Sequence, residues 1–228
     1  TLFRSGTLLP PGLAILIMIA VGVTVGLANG LMVTKLKMNN LVTTIAMLIL
    51  LRGIILIISP GKSVSFLGPV FNWIGNGVLF TIQGGGRQIG VPISLFFVLL
   101  AFAIAHIVTR YTQFGRNMYA VGSNREAAES SGIPTKKIIL TVYIISGFCA
   151  ALAGLLAAGR SDAAVGTLGQ NWIFHIQAAA IVGGVSLFGG RGTMIGALGG
   201  VLFWGILESG LSIMQVSPYT INIFRGLV

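Results

Sequence analysis

Residues 115 to 134 read GRNMYAVGSNREAAESSGIP, from Gly115 to Pro134. This polar stretch lies between two long apolar runs, one ending near Thr109 and the other beginning near Ile138. Charged side chains are costly inside a lipid bilayer, so a polar segment between two apolar runs is expected in water. The stretch therefore predicts a water-exposed element in a protein that is otherwise embedded in a membrane, and it is the element that a water-soluble partner would hold.

Start and stop signals within this stretch predict a short helix. Ser123-Asn124-Arg125-Glu126 matches a capping box, in which a serine oxygen accepts from the third helical N–H and a glutamate reaches back. Gly132 suits the left-handed position after a helix, and Pro134 prevents continuation. We expect a helix of about two turns from Asn124 to Ser131. A helix this short is marginal alone in water, so either a partner or neighbouring spans hold it, or it is simply an ordered loop helix.

The rest of the chain is strongly apolar. Of its 228 residues, 55% are hydrophobic and 8% are charged, whereas soluble domains carry about 25% charged residues. Five apolar runs approach the length of about 20 residues that a membrane-spanning helix needs. They are Leu13–Val33, Leu41–Ile58, Val91–Thr109, Ile138–Ala158 and Met194–Val216. We therefore expect an all-α fold, a polytopic transmembrane helical bundle formed by a single domain over residues 1–228.

Glycines shape this bundle. A sixth run, Ile173–Phe188, is short and interrupted by Gly183-Gly184, which predicts a tilted or broken helix. Small residues recur every four positions in three places, and such faces allow close helix packing in lipid. They are Gly22, Gly26 and Gly30; Ala150, Gly154 and Ala158; and Gly192, Gly196 and Gly200.

Both ends of the chain suggest a fragment. It begins at Thr1 without a methionine, and it stops at Val228 inside an apolar run that starts near Tyr219. We therefore expect that segments are missing at both ends.

The net charge of +10 indicates orientation in a membrane. The basic residues lie between the apolar runs, where the positive-inside rule expects them. The chain has no basic domain interleaved with aromatic residues, which is the pattern that would indicate nucleic-acid binding. If each run crosses once, eight basic residues lie inside: Lys35, Lys37, Arg110, Arg116, Arg125, Lys136, Lys137 and Arg191. Four lie outside: Arg4, Lys62, Arg87 and Arg160. This orientation makes residues 110–137 a cytoplasmic loop. If the sixth run is re-entrant instead, everything after it lies on the opposite side.

The segment from Ser59 to Gly90 then lies outside. Within it, Phe66–Phe80 is expected to form a short interfacial helix, because Trp73 favours the headgroup level. The three glycines from Gly84 to Gly86 predict a flexible return to the membrane.

The polar stretch resembles a known signature. Glu126-Ala127-Ala128, followed after three residues by Gly132, is similar to the cytoplasmic motif in permease subunits of bacterial ATP-binding-cassette (ABC) importers. The full pattern of residues 115–133 resembles the ribose-type sugar permeases in particular. Further segments carry the same resemblance, so that it covers nearly the whole chain: Leu51-Arg52-Gly53, Ala179 to Gly192, and Ser217-Pro218-Tyr219.

The resemblance implies an all-helical permease of the bacterial inner membrane. Its implied partners are cytoplasmic ATP-binding subunits, a second permease copy and an external substrate-binding protein. The helix at Glu126 would be a coupling helix seated in an ATPase groove, within a cytoplasmic coupling loop over residues 110–137. The coupling residues would be Ser123, Asn124, Arg125, Glu126, Ala127, Ala128, Glu129, Gly132 and Ile133.

Polar residues in or near the apolar runs suggest a substrate path. The candidates are Asn171, Trp172, His175, Gln177 and Glu208. Sugars bind polar side chains beside aromatic faces, so the first four either line this path or anchor the chain at the membrane interface. Glu208 either belongs to a polar patch with Arg52 and Arg225 or forms a structural ion pair with one of them, since intramembrane charges usually pair or face water.

Other motifs support no chemistry. Gly61-Lys62-Ser63 is not a phosphate-binding loop, because Leu56 stands where that loop needs a glycine. His106, His175 and the one cysteine, Cys149, have no metal-ligand spacing, and no acid–base pair is evident. We expect no metal, no cofactor and no enzyme activity in this chain, so ATP hydrolysis belongs to a partner.

The predicted function is that of the permease subunit of an ATP-driven importer for a monosaccharide or similar small polyol. One alternative is a branched-chain amino-acid permease of the same class, because fold does not fix cargo. Another is an ion-coupled secondary transporter or channel, which also uses broken helices but has no need of the Glu126 helix.

Overall fold

The computed structural model describes residues 10–59, 63–65, 67–84, 87–170 and 172–215. Helices account for most of them. The helices are α1 (Pro11–Thr34), α2 (Asn40–Ile58), α3 (Pro69–Asn76), α4 (Ile93–Tyr111), α5 (Gln113–Ser123), α6 (Arg125–Ser130), α7 (Thr135–Ser161), α8 (Trp172–Val182) and α9 (Met194–Ile213). The strands are β1 (Val64–Ser65), β2 (Val78–Gly84), β3 (Arg87–Pro92) and β4 (Ala163–Ala164).

Within the described ranges, five helices are long and apolar enough to cross a membrane: α1, α2, α4, α7 and α9. Each coincides with one of the five predicted apolar runs, which confirms the prediction of a polytopic helical membrane protein. Local chemistry fixes where these helices begin. The Asn39 side chain accepts a hydrogen bond from the Leu41 amide at 2.9 Å at the start of α2. The Thr193 hydroxyl accepts one from the Gly196 amide at 3.0 Å at the start of α9.

The chain packs as two compact units. The first contains the described residues up to Leu99 together with Lys136–Leu168, and the second contains Leu100–Thr135 together with the described residues from Gly169 onward.

In the first unit, α1 and α7 meet backbone to backbone. A Cβ atom built on Gly22 would lie 2.6 Å from the Gly147 carbonyl oxygen, and one on Gly26 would overlap the Tyr143 carbonyl oxygen. The predicted glycine face of α1 is therefore a packing face. Of the predicted face of α7, Gly154 makes no close contact, because a Cβ built on it would meet no described atom within 4 Å, whereas Ala158 is buried in one cluster with Ala14 of α1. Helix α7 also turns Gly147 toward α1.

One end of this unit is a small folded cap, which the charge count predicts to be extracytoplasmic. Helix α3 lies on the end of α7, where Asn76 donates to the carbonyl oxygens of Gly159 and Arg160 at 3.2 Å each. The Asp162 carboxylate accepts from the Leu67 amide at 3.3 Å, and β1 pairs antiparallel with β4. A buried apolar cluster lies beneath the cap: Ala14, Leu67, Phe71, Leu155 and Ala158.

The predicted helix over Phe66–Phe80 is wrong at both ends. Only Pro69–Asn76 is helical, and β2 begins at Val78 and pairs antiparallel with β3. The physical reason lies in the sequence after Gly77, which reads VLFTI and is rich in residues that favour strands. Phe66, Gly85 and Gly86 lie outside the described residues.

In the second unit, α8 and α9 form an antiparallel hairpin. A Cβ atom on Gly200 would overlap the Ala179 carbonyl oxygen. Likewise, a Cβ atom on Gly183 would overlap the Gly196 carbonyl oxygen, and one on Gly196 would overlap the Gly183 carbonyl oxygen. The sixth apolar run is broken, as predicted. Helix α8 ends in a left-handed Gly184 with φ +77°, and its last turn is closed by a hydrogen bond of 2.9 Å from the Val185 amide to the Ala180 carbonyl.

The glycine contact between α1 and α7 leads to a stability prediction. Gly26→Ala should destabilise the protein by about 1–3 kcal/mol, because the added methyl group overpacks a backbone contact. Gly154→Ala is the matched control, and it should be stabilising by up to about 1 kcal/mol, because alanine favours a helix over glycine. Thermal unfolding of both variants in one detergent measures the difference. Equal midpoints for Gly26→Ala and the unmodified protein would show that α1 and α7 do not touch here.

Candidate functional site

The polar helix α6 begins at Asn124 and not at Ser123. Helix α5 continues through Ser123, and Asn124 alone is extended, with φ −154° and ψ 108°. The Asn124 side chain accepts a hydrogen bond from the Ala127 amide at 3.0 Å. The predicted capping box is therefore wrong, because Ser123 has a helical backbone and an N-cap residue must be extended. Glu126 still lies in the first turn of α6, where the helix dipole favours a carboxylate.

The other end of α6 is as predicted. Gly132 is left-handed, with φ +79°. The Ile133 amide donates to the Ala128 carbonyl at 3.0 Å, and the Gly132 amide donates to the Glu129 carbonyl at 3.0 Å. These two hydrogen bonds form a Schellman motif, which satisfies carbonyl groups at the helix end. The helix proper, Arg125–Ser130, is one residue shorter at each end than predicted.

Helix α6 presents a polar surface. Ala128 is its buried member, with 4% of its surface exposed, and Ile133 after it is half-buried. The other predicted coupling residues are exposed: Ser123, Asn124, Arg125, Glu126, Ala127, Glu129 and Gly132. A helix capped at both ends by its own chain, with one side buried and two carboxylates on the other, is suited to a protein contact. Such a contact can transmit force because the capped helix has little freedom to unwind.

A glycine-rich loop between α8 and α9 touches the end of α5. The Tyr119 hydroxyl donates to the Gly192 carbonyl at 2.8 Å. Since α5 and this loop touch, the loop with Arg191 lies beside the end of α5, and the assignment of both to the cytoplasmic side stays a prediction of the charge count. The loop is a tight turn, in which the Ser186 amide donates to the Arg191 carbonyl at 3.0 Å.

The described part of the second unit brings two substrate-path candidates together. The His175 Nδ1 atom lies 3.8 Å from the Glu208 Oε2 atom, although His175 is on α8 and Glu208 is near the end of α9. A third residue, Trp204, was missed by the sequence analysis. Its ring centre lies 6.3 Å from that of His175. Trp204 precedes Glu208 by four residues and so lies on the same face of α9, a signal that the sequence contained.

Trp204 is unusual because its polar atom is buried. Only 6% of its surface is exposed, and its indole N–H has no hydrogen-bond partner among the residues that the structure describes. Buried polar groups are normally hydrogen-bonded. The cluster of His175, Trp204 and Glu208 therefore combines an aromatic ring, a carboxylate and two groups that can donate hydrogen bonds.

The other polar candidates are not placed in this cluster. Asn171 and Arg225 lie outside the described residues, as do Gly61 and Lys62 of the rejected phosphate-loop motif. Trp172 is exposed, and Gln177 is half-buried on α8. Arg52 is exposed on α2. Among the described residues, no group of three or more His, Cys, Asp or Glu side chains could hold a metal ion.

The end caps of α6 lead to a prediction about local stability. Asn124→Ala should speed amide exchange at Ala127 and its neighbours about fivefold, because losing a side-chain cap costs about 1 kcal/mol. Ser123→Ala should change it much less. Hydrogen exchange followed by mass spectrometry measures both. A larger effect from Ser123→Ala would restore the capping box and contradict this geometry.

Comparison with known proteins adds the family. Residues 2–228 match the family described as branched-chain amino acid transport system / permease component. The chain is 34% identical over 220 residues to the ribose import permease protein RbsC of Haemophilus influenzae, covering 96% of the chain and 67% of that protein. It is 35% identical over 200 residues to RbsC of Bacillus subtilis, covering 88% of the chain and 60% of that protein.

A third relative is the galactose/methyl galactoside import permease protein MglC of Escherichia coli. It is 33% identical to this chain over 229 residues, covering 99% of the chain and 67% of that protein. The chain thus spans about two thirds or less of the length of these curated relatives. No solved structure matches it.

Proposed function

Because the chain belongs to the family of branched-chain amino acid transport system permease components, we propose that it is a membrane-spanning subunit of an ATP-driven importer. Its cargo is a monosaccharide or a similar small polyol. The chain hydrolyses no ATP itself and couples hydrolysis by a partner to alternating access across the membrane. Its location is the bacterial inner membrane, with residues 110–137 in the cytoplasm.

The observation that carries this proposal is helix α6. Work from ATP hydrolysis enters a membrane domain through a contact that does not deform. Helix α6 offers such a contact because both of its ends are capped within the chain and Ala128 on one side of it is buried. Arg125, Glu126 and Glu129 supply charged groups on the exposed side, and the small side chain of Ala127 permits close approach. Helix α6 is proposed to bind in a groove of a cytoplasmic ATP-binding subunit.

Two further partners follow from the same proposal. A second permease copy completes the path, either as an identical chain or as a related one. An external substrate-binding protein delivers cargo to the extracytoplasmic side. The relatives are named as import permeases for ribose and galactose, which supports the direction of transport and this set of partners.

The cargo proposal is supported by the His175–Trp204–Glu208 cluster. Sugar hydroxyl groups both donate and accept hydrogen bonds, and a sugar ring packs its C–H face against an aromatic ring. A carboxylate, an imidazole and a buried indole N–H within one cluster fit such a ligand. We propose that this cluster lies on the substrate path, with Asn171, Trp172 and Gln177 as further candidates. The family description favours a second candidate, a branched-chain amino acid.

The docking proposal predicts the effect of reversing one charge. Glu126→Lys should lower sugar uptake about tenfold or more, because a cation is unfavourable at a helix N-terminus and meets the wrong charge in a complementary groove. Uptake of radiolabelled sugar is measured in cells that carry the whole transporter, with membrane insertion checked by fractionation. Lys35→Glu is the control, since it reverses a charge on the same predicted side but outside α6. Full uptake by Glu126→Lys, with the ATP-binding subunit still bound, would contradict the proposal that α6 forms the docking site.

The cargo proposal predicts a pattern of competition. Uptake of labelled ribose or galactose should be inhibited by unlabelled monosaccharides and not by leucine, isoleucine or valine. Glu208→Gln should lower this uptake about fivefold or more, because a charged hydrogen-bond acceptor typically contributes more than a neutral one. Ser209→Ala, at the neighbouring exposed position, is the matched control. Inhibition by leucine instead would favour the amino-acid candidate.

A further inference from the structure

Helix α5 and the loop between α8 and α9 form a contact that the proposed function leaves without a role. The contact joins Tyr119, Gly122 and Ser123 at the end of α5 to Gly190 and Gly192 in the loop. We name these five residues the glycine joint. All of them belong to the second compact unit.

The glycine joint is a direct contact between two backbones. A Cβ atom built on Gly122 would lie 2.6 Å from the Gly190 amide nitrogen and 3.2 Å from the Gly190 Cα atom. A Cβ atom on Gly190 would lie 2.6 Å from the Ser123 Cα atom. Real Cβ atoms essentially never approach other atoms within 3.0 Å, and although the Ser123 hydroxyl also lies close to Gly190, backbone atoms of both segments stand within that distance. The hydrogen bond from Tyr119 to the Gly192 carbonyl, at 2.8 Å, ties the same two segments together.

Both sides of the joint are rigidly attached. On one side, a single residue, Asn124, separates α5 from α6, and its side chain caps α6. On the other side, the loop leads into the α8–α9 hairpin, whose helices are in backbone contact at Gly183, Gly196 and Gly200. Packed elements in backbone contact move together, because interiors deform little. A displacement of α6 is therefore passed to the hairpin with little loss.

The hairpin extends from the joint to the polar cluster. Helices α8 and α9 run antiparallel, so that Gly183 faces Gly196 near the loop and His175 faces Trp204 and Glu208 at the far end. Gly183 follows His175 by eight positions, which corresponds to about 12 Å along a helix. The glycine joint thus connects the docking helix to the polar cluster through packed elements of one compact unit.

We propose that Tyr119, Gly122 and Gly190 are positioning residues that transmit the movement of α6 to the α8–α9 hairpin. This inference rests on the proposed function, since it assigns the route by which ATP hydrolysis reaches the substrate path. It adds that the transmission depends on the absence of a side chain at positions 122 and 190.

The experiment uses the complete transporter reconstituted in liposomes with its ATP-binding subunits and binding protein. Gly122→Ala adds one methyl group at the joint and strengthens α5 itself, because alanine favours a helix over glycine. Tyr119→Phe removes the hydrogen bond to the Gly192 carbonyl and leaves the ring in place. The controls are Gly199→Ala, where a Cβ atom would meet no described atom within 4 Å, and Tyr111→Phe, whose side chain is exposed. The readout is the amount of sugar transported per ATP hydrolysed, with complex assembly measured separately.

We expect Gly122→Ala to lower sugar transported per ATP about fivefold or more, the lower range of typical coupling between two sites. Tyr119→Phe should lower it by a smaller factor, and both controls should match the unmodified transporter. The variants should still assemble with the ATP-binding subunits and hydrolyse ATP. Unchanged transport per ATP in Gly122→Ala and Tyr119→Phe would contradict the proposal that the glycine joint transmits the movement of α6.

The same measurement separates this inference from the proposed function. If the unmodified complex couples ATP hydrolysis to sugar transport and Glu126→Lys prevents assembly, the docking proposal stands whatever the joint variants do. If Gly122→Ala loses assembly together with transport, position 122 belongs to the docking surface, and the transmission role is contradicted. A loss of transport per ATP in an intact complex is the outcome that supports the joint.

Discussion

Direct contact between glycine backbones is the interaction on which this structure depends. Within lipid, helices gain little from hydrophobic association, so they must approach closely enough for backbone atoms to pack. This occurs where Gly22 and Gly26 of α1 meet α7, and where Gly183 meets Gly196 between α8 and α9. It occurs again outside the long helices, where Gly122 meets Gly190. At each place a single methyl group would force two backbones apart.

Under the proposed function, these contacts link a mostly apolar membrane chain to a water-soluble ATP-binding subunit. The docking helix α6 is stabilised by its own ends, with the Asn124 side chain at one end and left-handed Gly132 at the other. It therefore arrives at a partner already formed, and binding loses little free energy to ordering it. On the proposal made above, the backbone contacts behind it pass a displacement at α6 to the hairpin that carries His175 and Glu208. The residues proposed for docking, transmission and cargo contact all belong to the second unit.

The sequence predicted the features that depend on local chemistry. The five spans followed from apolar length, and Gly132 followed from the need for a left-handed residue before Pro134. Features that depend on a distant partner were missed. Ser123 looked like the cap because nothing local shows that α5 continues to that residue, and Gly147 was missed because its role depends on the register between α1 and α7. The spacing of Trp204 and Glu208 was readable from the sequence, but the proximity of Trp204 to His175 depends on the antiparallel hairpin.

The central claim is that α6 is the surface on which an ATP-binding subunit acts, and crosslinking from its exposed side tests this most directly. A photoactivatable amino acid at position 127, which is exposed between Glu126 and buried Ala128, is introduced into the whole transporter in its native membrane. The account predicts a crosslinked product that contains the permease and the ATP-binding subunit. A product with the external binding protein, or labelling of this position only by reagents confined to the extracytoplasmic side, would contradict it.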